Sequence, residues 1–467
     1  MRYAHTPDQV RTAEAPLLAA GVPLMARAST ALAVAVAGRL PFVYGARVVL
    51  LVGGGNNGAD ALWAGTWLLG RGAAVAAVLV ADAEPEALQA FRAAGGRIST
   101  AAATEGADAI VDGLVGIGGR GPLREEAAGL ARLANEADGW VVSVDVPSGV
   151  DAATGAIDGT AVKADLTVTF GSLKPGLLIA RDHVGELRLV DIGLDLPASQ
   201  IEVLERADVA SLLPRMDPAH DKYARGVLGV AAGSPAYTGA AVLSVTAAIR
   251  AGAGMVRFAG HTHVAEQARR AAPEAVVTEA VGADVVKAGR VQAWVVGPGL
   301  GTDDSAIDTV QAVLGEDVPV LVDADALTVC ASNPEWLRRQ APTLLTPHDR
   351  EFARFGADVG TDRIGAARAL AKGLDVHVLL KGDATVIAAP DGRVRVNTTG
   401  SALLATAGSG DVLSGAVGAL LAQGLDPFDA ASIGAYLHGR AARGPSTSAS
   451  QLVGAWQRAV HEVRGGD

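Results

Sequence analysis

Apolar residues recur along this chain in two rhythms. Residues 46–52 form an apolar run of strand length, interrupted only by Arg47. A glycine-rich stretch, 53–60, follows it, and then apolar positions at helical spacing as far as Gly70. Residues 74–80 make a second run ending at Asp82, and 109–112 and 141–145 make two more. Strand, glycine turn, helix and strand in that order predict βαβ units, and their repetition predicts a doubly wound parallel sheet. Ahead of it, Val10, Leu17, Leu18, Leu24 and Met25 behind Pro7 predict helix over 7–40, laid on the sheet. Residues 163–170 and 186–190 read as further strands around a turn at Lys174-Pro-Gly176, with His183 a loop histidine. The alternation resumes at 227–231 and continues through an Ala-rich helix to Ala251 and through strands near 295, 321 and 378. A short strand pair then precedes a helix, 411–423. Between the halves, 194–218 carry Pro197, Pro214 and Pro218 amid mixed charge, which places a linker there and domains at 1–205 and 206–467.

Composition narrows this picture. At 467 residues the chain is too long for one ordinary core, in keeping with two α/β domains. A net charge of −11 argues against a nucleic-acid surface, so an anionic ligand must be held by local amides and a few Lys or Arg. The lone Cys330 excludes an intramolecular disulfide framework and suits a reducing cytoplasm. No apolar stretch is long enough to span a bilayer, and Asp8, Glu14, Pro16 and Pro23 do not fit a signal peptide. A soluble cytoplasmic protein is expected, with neither membrane nor nucleic acid as partner.

In the first half, Gly53, Gly55 and Gly58 satisfy G-x-G-x-x-G, and Asp82 lies near the distance of a ribose-binding acid. A plain dinucleotide site is the simplest reading, but Asp60 in the first helical turn opposes a pyrophosphate there. Asn56, Asn57 and Asp60 instead offer oxygens to a cation or a polar ring. Asp112, ahead of a glycine-rich loop, and Asp145, in Val-Asp-Val-Pro-Ser-Gly149, close two further strands at the same sheet edge. Asn56-Asn-Gly-Ala-Asp60, the Gly116–Pro122 loop and Val144-Asp-Val-Pro-Ser-Gly149 resemble the NAD(P)H-hydrate epimerase family. That resemblance implies a Rossmann-like fold and a substrate cradle of Asn56, Asn57, Gly58, Ala59 and Asp60. It extends the cradle to Gly116, Ile117, Gly118, Gly119, Arg120, Gly121 and Pro122, with Asp145 on the substrate. It also implies a potassium site at Asn57, Asp112 and Ser148. A nicotinamide ring hydrated beside its nitrogen becomes a planar iminium on losing hydroxide, and water can re-enter from either face. One carboxylate that gives and takes a proton suffices, and Asp145 is the candidate catalytic residue. Ala59 and Ala61 replace the glycines usual in this family, so a methyl group is expected to interfere if either site needs a positive φ or close ligand approach.

In the second half, Gly408-Ser-Gly-Asp411 opens the 411–423 helix. Unpaired amides and the helix dipole there suit a phosphoryl oxygen. Asp411 reads either as an N-cap or as a base that takes a proton from a substrate hydroxyl while those amides hold the transferred group. Turn, aspartate and helix start resemble the anion hole of ribokinase-like kinases. Ala240 follows a glycine turn and leaves room for a flat ring. Asp323 and Asp325 lie just past a strand, and His348 and Glu351 are spaced to share a helical face. A zinc site falls short in ligands, so Glu351 or Asp325 supporting Mg²⁺ through water is preferred. Lys381, before a glycine turn, can neutralise a nucleotide phosphate. Tyr237–Ala240, Gly297–Gly301, Val322–Ala326, Thr346-Pro-His348, Lys381–Thr385 and Gly408–Asp411, in that order, closely resemble the ADP- or ATP-dependent NAD(P)H-hydrate dehydratases. The implied substrate contacts are Ala240, Gly299, His348 and Asp411. The implied nucleotide contacts are Lys381, Gly382, Asp383, Ala384, Thr385 and Gly410. ADP is the expected phosphoryl donor, with ATP as the alternative and Mg²⁺ alongside. Nearly the whole chain thus resembles the bifunctional enzymes that repair hydrated NADH and NADPH, and a homo-oligomer is expected. The competing readings are a small-alcohol (vitamin-precursor) kinase that keeps its phosphorylated product, and a nucleotide-sensing protein with degenerate pockets.

Overall fold

A computed structural model describes residues 1–215, 221–444 and 448–465. Pro218 of the expected linker lies outside them. The chain divides into two compact units, Tyr3–Ile201 and Glu202–Asp467, the latter also holding Met1–Arg2.

In the first unit, seven strands form one sheet: β1 (Arg47–Val52), β2 (Ala74–Leu79), β3 (Arg97–Ile98), β4 (Ala109–Gly113), β5 (Trp140–Val144), β6 (Leu166–Phe170) and β7 (Glu186–Val190). Their order is β3-β2-β1-β4-β5-β6-β7, with every neighbouring pair parallel. The chain leaves β1 toward β2 and later returns to β1's other side as β4. Loops after β1 and β4 therefore diverge, and a crevice opens at the carboxyl edge of the sheet. Apolar side chains on both faces, such as Leu50, Leu51, Val111 and Val142, are fully buried, as a helix-covered parallel sheet requires. The expected continuous helix over 7–40 is two helices, Pro7–Ala19 and Leu24–Ala37. Gly21, at φ +71°, and Pro23 break it. Leu32 of the second helix packs with Leu62 of helix Asn56–Leu69 in the core. Lys174-Pro-Gly is the start of a short helix, Pro175–Ile179, rather than a turn between strands.

In the second unit nine strands of an eleven-stranded sheet are β8 (Val227–Ala231), β9 (Met255–Gly260), β10 (Val276–Glu279), β11 (Ala293–Val296), β12 (Val320–Val322), β13 (Thr343–Leu345), β14 (His377–Leu380), β15 (Thr385–Ala388) and β16 (Val394–Asn397). They run in the order β16-β15-β14-β13-β12-β11-β8-β9-β10. All pairs are parallel except the β14-β15-β16 meander. Helix Ser409–Ala422 is buried along most of its length, and it packs on Thr238–Arg250 and Pro427–Ala441. Small residues permit this: a methyl group on Gly415 would sit 2.1 Å from the Ser244 carbonyl oxygen. Among the described residues no single helix is long and apolar enough to cross a membrane.

Candidate functional sites

The carboxyl edge of the first sheet holds two adjoining neighbourhoods. One is a cavity of about 530 Å³ at the β1/β4 crevice, lined by Gly53, Gly54, Val80, Ala81 and, from the expected cradle, Gly119, Arg120, Gly121 and Pro122. Gly118 is exposed, while Ile117 is tied by its carbonyl to Arg11 of helix Pro7–Ala19 at 3.0 Å. The other neighbourhood surrounds Asp145. Asn57 joins the two. Its Nδ2 donates to the Val144 carbonyl at 2.5 Å, and its amide covers Gly116 so closely that a methyl group there would lie 2.2 Å from Asn57 Oδ1. Asn56, one residue earlier, is exposed at the helix start.

Asp145 sits just past β5 at φ +65°, a backbone state that Asp tolerates better than most residues. Its Oδ1 accepts from Lys174 Nζ at 2.5 Å, from Thr169 Oγ1 at 2.9 Å and from the Phe170 amide at 3.3 Å. Its Oδ2 accepts nothing from the described residues. Lys174 is 1% exposed and also donates to Thr169 Oγ1 and the Phe170 carbonyl, so the ammonium is fully used in fixing Asp145. Asp60 lies one turn after Asn57 on the same helical face. It is 7% exposed with Oδ1 unpartnered. Burial, then the charges of Asp145 and Glu14, push its carboxyl well above the usual range. Glu14, from helix Pro7–Ala19, is also pushed up, by burial and then by Asp145. Lys174 and Glu14 were missed in the sequence. The lysine was hidden in a Lys-Pro-Gly turn signature, and the glutamate in an amphipathic helix with no local motif.

Asp112 at the end of β4 is fully buried. Its Oδ1 accepts from Ser148 Oγ at 2.6 Å and the Leu114 amide at 3.3 Å. Its Oδ2 accepts from Ser143 Oγ at 2.8 Å and the Ser148 amide at 2.9 Å. Burial, only partly offset by these bonds, raises its carboxyl. Ser148 Oγ also lies 3.2 Å from the Val115 carbonyl oxygen. A negative charge sunk among oxygens with no cationic side chain bonded to it fits a monovalent cation. Asp112 and Ser148 bond directly, whereas Asn57 spends its amide nitrogen on Val144.

Gly58, Ala59 and Asp60 are all buried in the helix. Neither Ala59 nor Ala61 has a positive φ, and both methyl groups belong to the apolar core. The expected interference from these two methyls therefore does not arise from backbone geometry.

In the second unit the helix begins at Ser409, with Gly408 as N-cap at φ +86°. Asp411 is accordingly inside the first turn, two residues past the helix start, and the N-cap reading of it is corrected. Its carboxylate accepts no hydrogen bond from any described residue, and the amides of Gly410 and Asp411 have no acceptor among them. Burial, then the negative charge of Asp323, push the Asp411 carboxyl up to about 6, with Lys381 opposing. A methyl group on Gly410 would stand 3.6 Å from Lys381 Nζ, so the strand-end lysine and the loop meet. Lys381 Nζ is 2.8 Å from Asp323 Oδ1 and 3.6 Å from Glu351 Oε2. Asp323, absent from the expected site, anchors the arrangement: it also accepts from Thr346 Oγ1 at 2.8 Å and Ser414 Oγ at 2.7 Å. Burial works against its charge, but the ammonium beside it wins and holds the carboxyl below the usual range. Ala324, at φ +50°, separates Asp323 from Asp325, whose Oδ2 accepts from the Gly301 amide at 2.9 Å.

Ala240 and Gly299 are neighbours, since a methyl group on Gly299 would meet Ala240 Cβ at 2.9 Å. His348 and Glu351 do meet, Nε2 to Oε1 at 3.5 Å, but at a helix start rather than along a helical face. His348 is the N-cap of helix Asp349–Phe352, with Nδ1 accepting the Arg350 and Glu351 amides, and Glu351 closes the capping box on the His348 amide at 2.8 Å. His348, Lys381 and Gly382 line an open cavity of about 400 Å³ with Asp349 and Arg350. Thr385 Oγ1 donates back to the Gly382 carbonyl at 3.0 Å, and Ala384 is buried behind this turn, so Asp383 lies at its tip. No three His, Cys, Asp or Glu side chains among the described residues form a metal cage.

Residues 228–455 match the family model described as NAD(P)H-hydrate dehydratase, and residues 21–176 match the YjeF-related protein N-terminus. A bifunctional NAD(P)H-hydrate repair enzyme of Mycobacterium leprae is 50% identical over 97% of this chain and 98% of its own length. A protein of the same description from Escherichia coli K12 is 35% identical over 84% of this chain and 80% of its own. A solved ribokinase-like superfamily protein of Enterococcus faecalis, 22% identical, superposes with a TM-score of 0.52 over 58% of this chain and 98% of its own. That likeness establishes the fold of the second unit alone.

Proposed function

The chain belongs to the bifunctional NAD(P)H-hydrate repair enzymes, and from that premise we propose which residues carry its two reactions. The enzyme repairs hydrated NADH and NADPH: the first half epimerises the R and S hydrates, and the second dehydrates the S form. The observation that carries the residue assignment is the Asp411 carboxylate, unpartnered and pushed up to about 6, beside two open amides and Lys381.

Hydroxide is a poor leaving group, so the dehydratase first makes it a phosphate ester. Asp411 takes the ring hydroxyl proton as the terminal phosphoryl group of ADP moves onto that oxygen, leaving AMP. The Gly410 and Asp411 amides face the charge that develops, and Lys381, held by Asp323, stands beside them. Phosphate then departs from the carbon beside the ring nitrogen, and the neighbouring carbon loses a proton to solvent as the ring regains its double bond. Ala240, Gly299 and His348 seat the hydrated ring. Lys381, Gly382, Asp383, Ala384, Thr385 and Gly410 hold the adenine nucleotide. Glu351 or Asp325 would support Mg²⁺ through water, and the ion would supply positive charge to the phosphoryl oxygens. ADP rather than ATP as donor rests on family resemblance.

In the epimerase half, Asp145 offers Oδ2 to the proton while Lys174 fixes Oδ1. Asp145 hands a proton to the departing hydroxyl, which leaves as water, and takes it back when water adds to the other face of the planar iminium; Asp60, its carboxyl raised by burial and then by the Asp145 charge, stands near it. Asn56, Asn57 and the Gly116–Pro122 loop hold the remainder of the substrate. Asp112, Ser148 and Asn57 would hold potassium, which would offset the buried Asp112 charge. The enzyme works in the cytoplasm, which the unpaired, buried Cys330 suits. A homo-oligomer would cover large exposed side chains such as Phe42 and Tyr44.

A small-alcohol kinase shares Asp411 but leaves Tyr3–Ile201 without a task, and the family matches do not favour it. Asp411→Asn tests the assignment. ADP-dependent NADH recovery from the S hydrate should fall by on the order of a hundredfold or more while nucleotide binding persists. Normal turnover by this variant would place the base elsewhere.

A further inference from the structure

Arg363 has no part in the chemistry above, yet its guanidinium lies against the nucleotide turn, residues 381–385. It opens helix Arg363–Leu374, which packs on β14 and β15, and its side chain is mostly buried. Nη2 donates to the Lys381 carbonyl, and Nη1 pairs with Asp349 Oδ1 at 2.8 Å. Nε is buried without a partner among the described residues, so the two terminal nitrogens hold the group in place. The guanidinium also fills the space that a side chain at 382 would need. A methyl group on Gly382 would stand 2.5 Å from Nη2, 2.9 Å from Cζ and 3.2 Å from Nε. Gly382 has no left-handed φ, so this close approach, rather than the backbone conformation, requires glycine there.

The rest of Lys381 is placed without Arg363. Its amide donates to the Pro347 carbonyl at 2.8 Å, and its ammonium is held by Asp323. What Arg363 controls is the next peptide group. The Lys381 carbonyl and the Gly382 amide share one plane and point in opposite directions, so anchoring the oxygen fixes where the N–H is aimed. That N–H has no acceptor among the described residues. It is an open donor at the edge of the cavity that Lys381 and Gly382 line with His348.

We propose that Arg363 is a positioning residue for nucleotide binding: by holding the Lys381 carbonyl and filling the space beside the Gly382 α carbon, it aims the Gly382 amide at a phosphate oxygen of the adenine nucleotide. The inference rests on the dehydratase reading of this site. Asp411 sits on its own helix and Asp323 holds the Lys381 ammonium, so the effect falls on ADP binding rather than on the chemical step.

The test attacks the contact from both sides in the full chain and reads the steady-state constants of dehydration. Arg363→Ala should raise KM for ADP by about tenfold, with kcat at saturating ADP within about threefold and KM for the S hydrate within about twofold. A role in folding alone would reduce the amount of active enzyme, and so kcat, without moving KM for ADP. Gly382→Ala, whose methyl group displaces the guanidinium, should raise KM for ADP in the same way. Because both substitutions break one contact, the double variant should bind ADP no worse than about threefold beyond the weaker single variant. An unchanged KM for ADP in Arg363→Ala, an equal rise in KM for the hydrate, or effects that multiply in the double variant overturns the proposal. Absence of ADP-dependent dehydration in the unmodified enzyme would instead remove the reading on which it rests.

Discussion

The two aspartates assigned as bases are prepared in opposite ways. Asp145 is pinned by a buried lysine that spends all three of its protons on the site. Asp411 is left without a hydrogen-bond donor, and burial with Asp323 nearby lifts its carboxyl from 3.8 to about 6. A base must be deprotonated to act, so dehydration should be lost as pH falls through about 6 rather than near the usual carboxylate value. Initial rates of NADH recovery from pure S hydrate across acidic and neutral pH measure this. An acid limb near 4, or none, would mean that another group sets the profile. Asp411 was legible because a glycine turn and a helix start flank it in the sequence. Lys174 was not: it lies just past the strand that follows Asp145's, and only the pairing of those two strands in the sheet brings the ammonium to the carboxylate. Asp323 escaped for the same reason, since its meaning depends on Lys381 and Ser414 arriving from other elements.

Among the elements, helix Asn56–Leu69 shows what sequence comparison alone misjudges. Ala59 and Ala61 stand where glycines are usual, and a methyl group at either looked obstructive. Both are α-helical and packed in the core, where alanine is a better helix former than glycine. Ala59→Gly should therefore lower stability by about 1 kcal/mol and leave epimer exchange within about twofold. Chemical denaturation and an exchange assay on the same preparation check both parts. Exchange accelerated tenfold by the glycine would show the methyl group to be the obstacle after all. Other elements departed from their local pattern for identifiable reasons. Gly21 and Pro23 cut the first helix in two. The His348–Glu351 spacing, read as a shared face, proved to be a capping box, in which a residue at the N-cap and one three positions on bond each other's backbone.

At the scale of the whole chain, two doubly wound sheets were legible because each strand run is followed by a glycine turn and a helix, twice over. What the pattern did not reveal was the division of labour along the first sheet's edge, where a roomy crevice and a buried carboxylate cluster adjoin across Asn57. The account's central claim is that one chain carries both repair steps on separate residues. The most direct measurement gives the enzyme a mixture of R and S NADH hydrates, held at a temperature where they interconvert slowly, with ADP and Mg²⁺, and follows NADH absorbance. The unmodified enzyme should recover all the NADH, and Asp145→Asn should recover the S share at an unchanged rate and then stall. An early stall in the unmodified enzyme, unimpeded completion by Asp145→Asn, or a phosphorylated hydrate accumulating in place of NADH would contradict it.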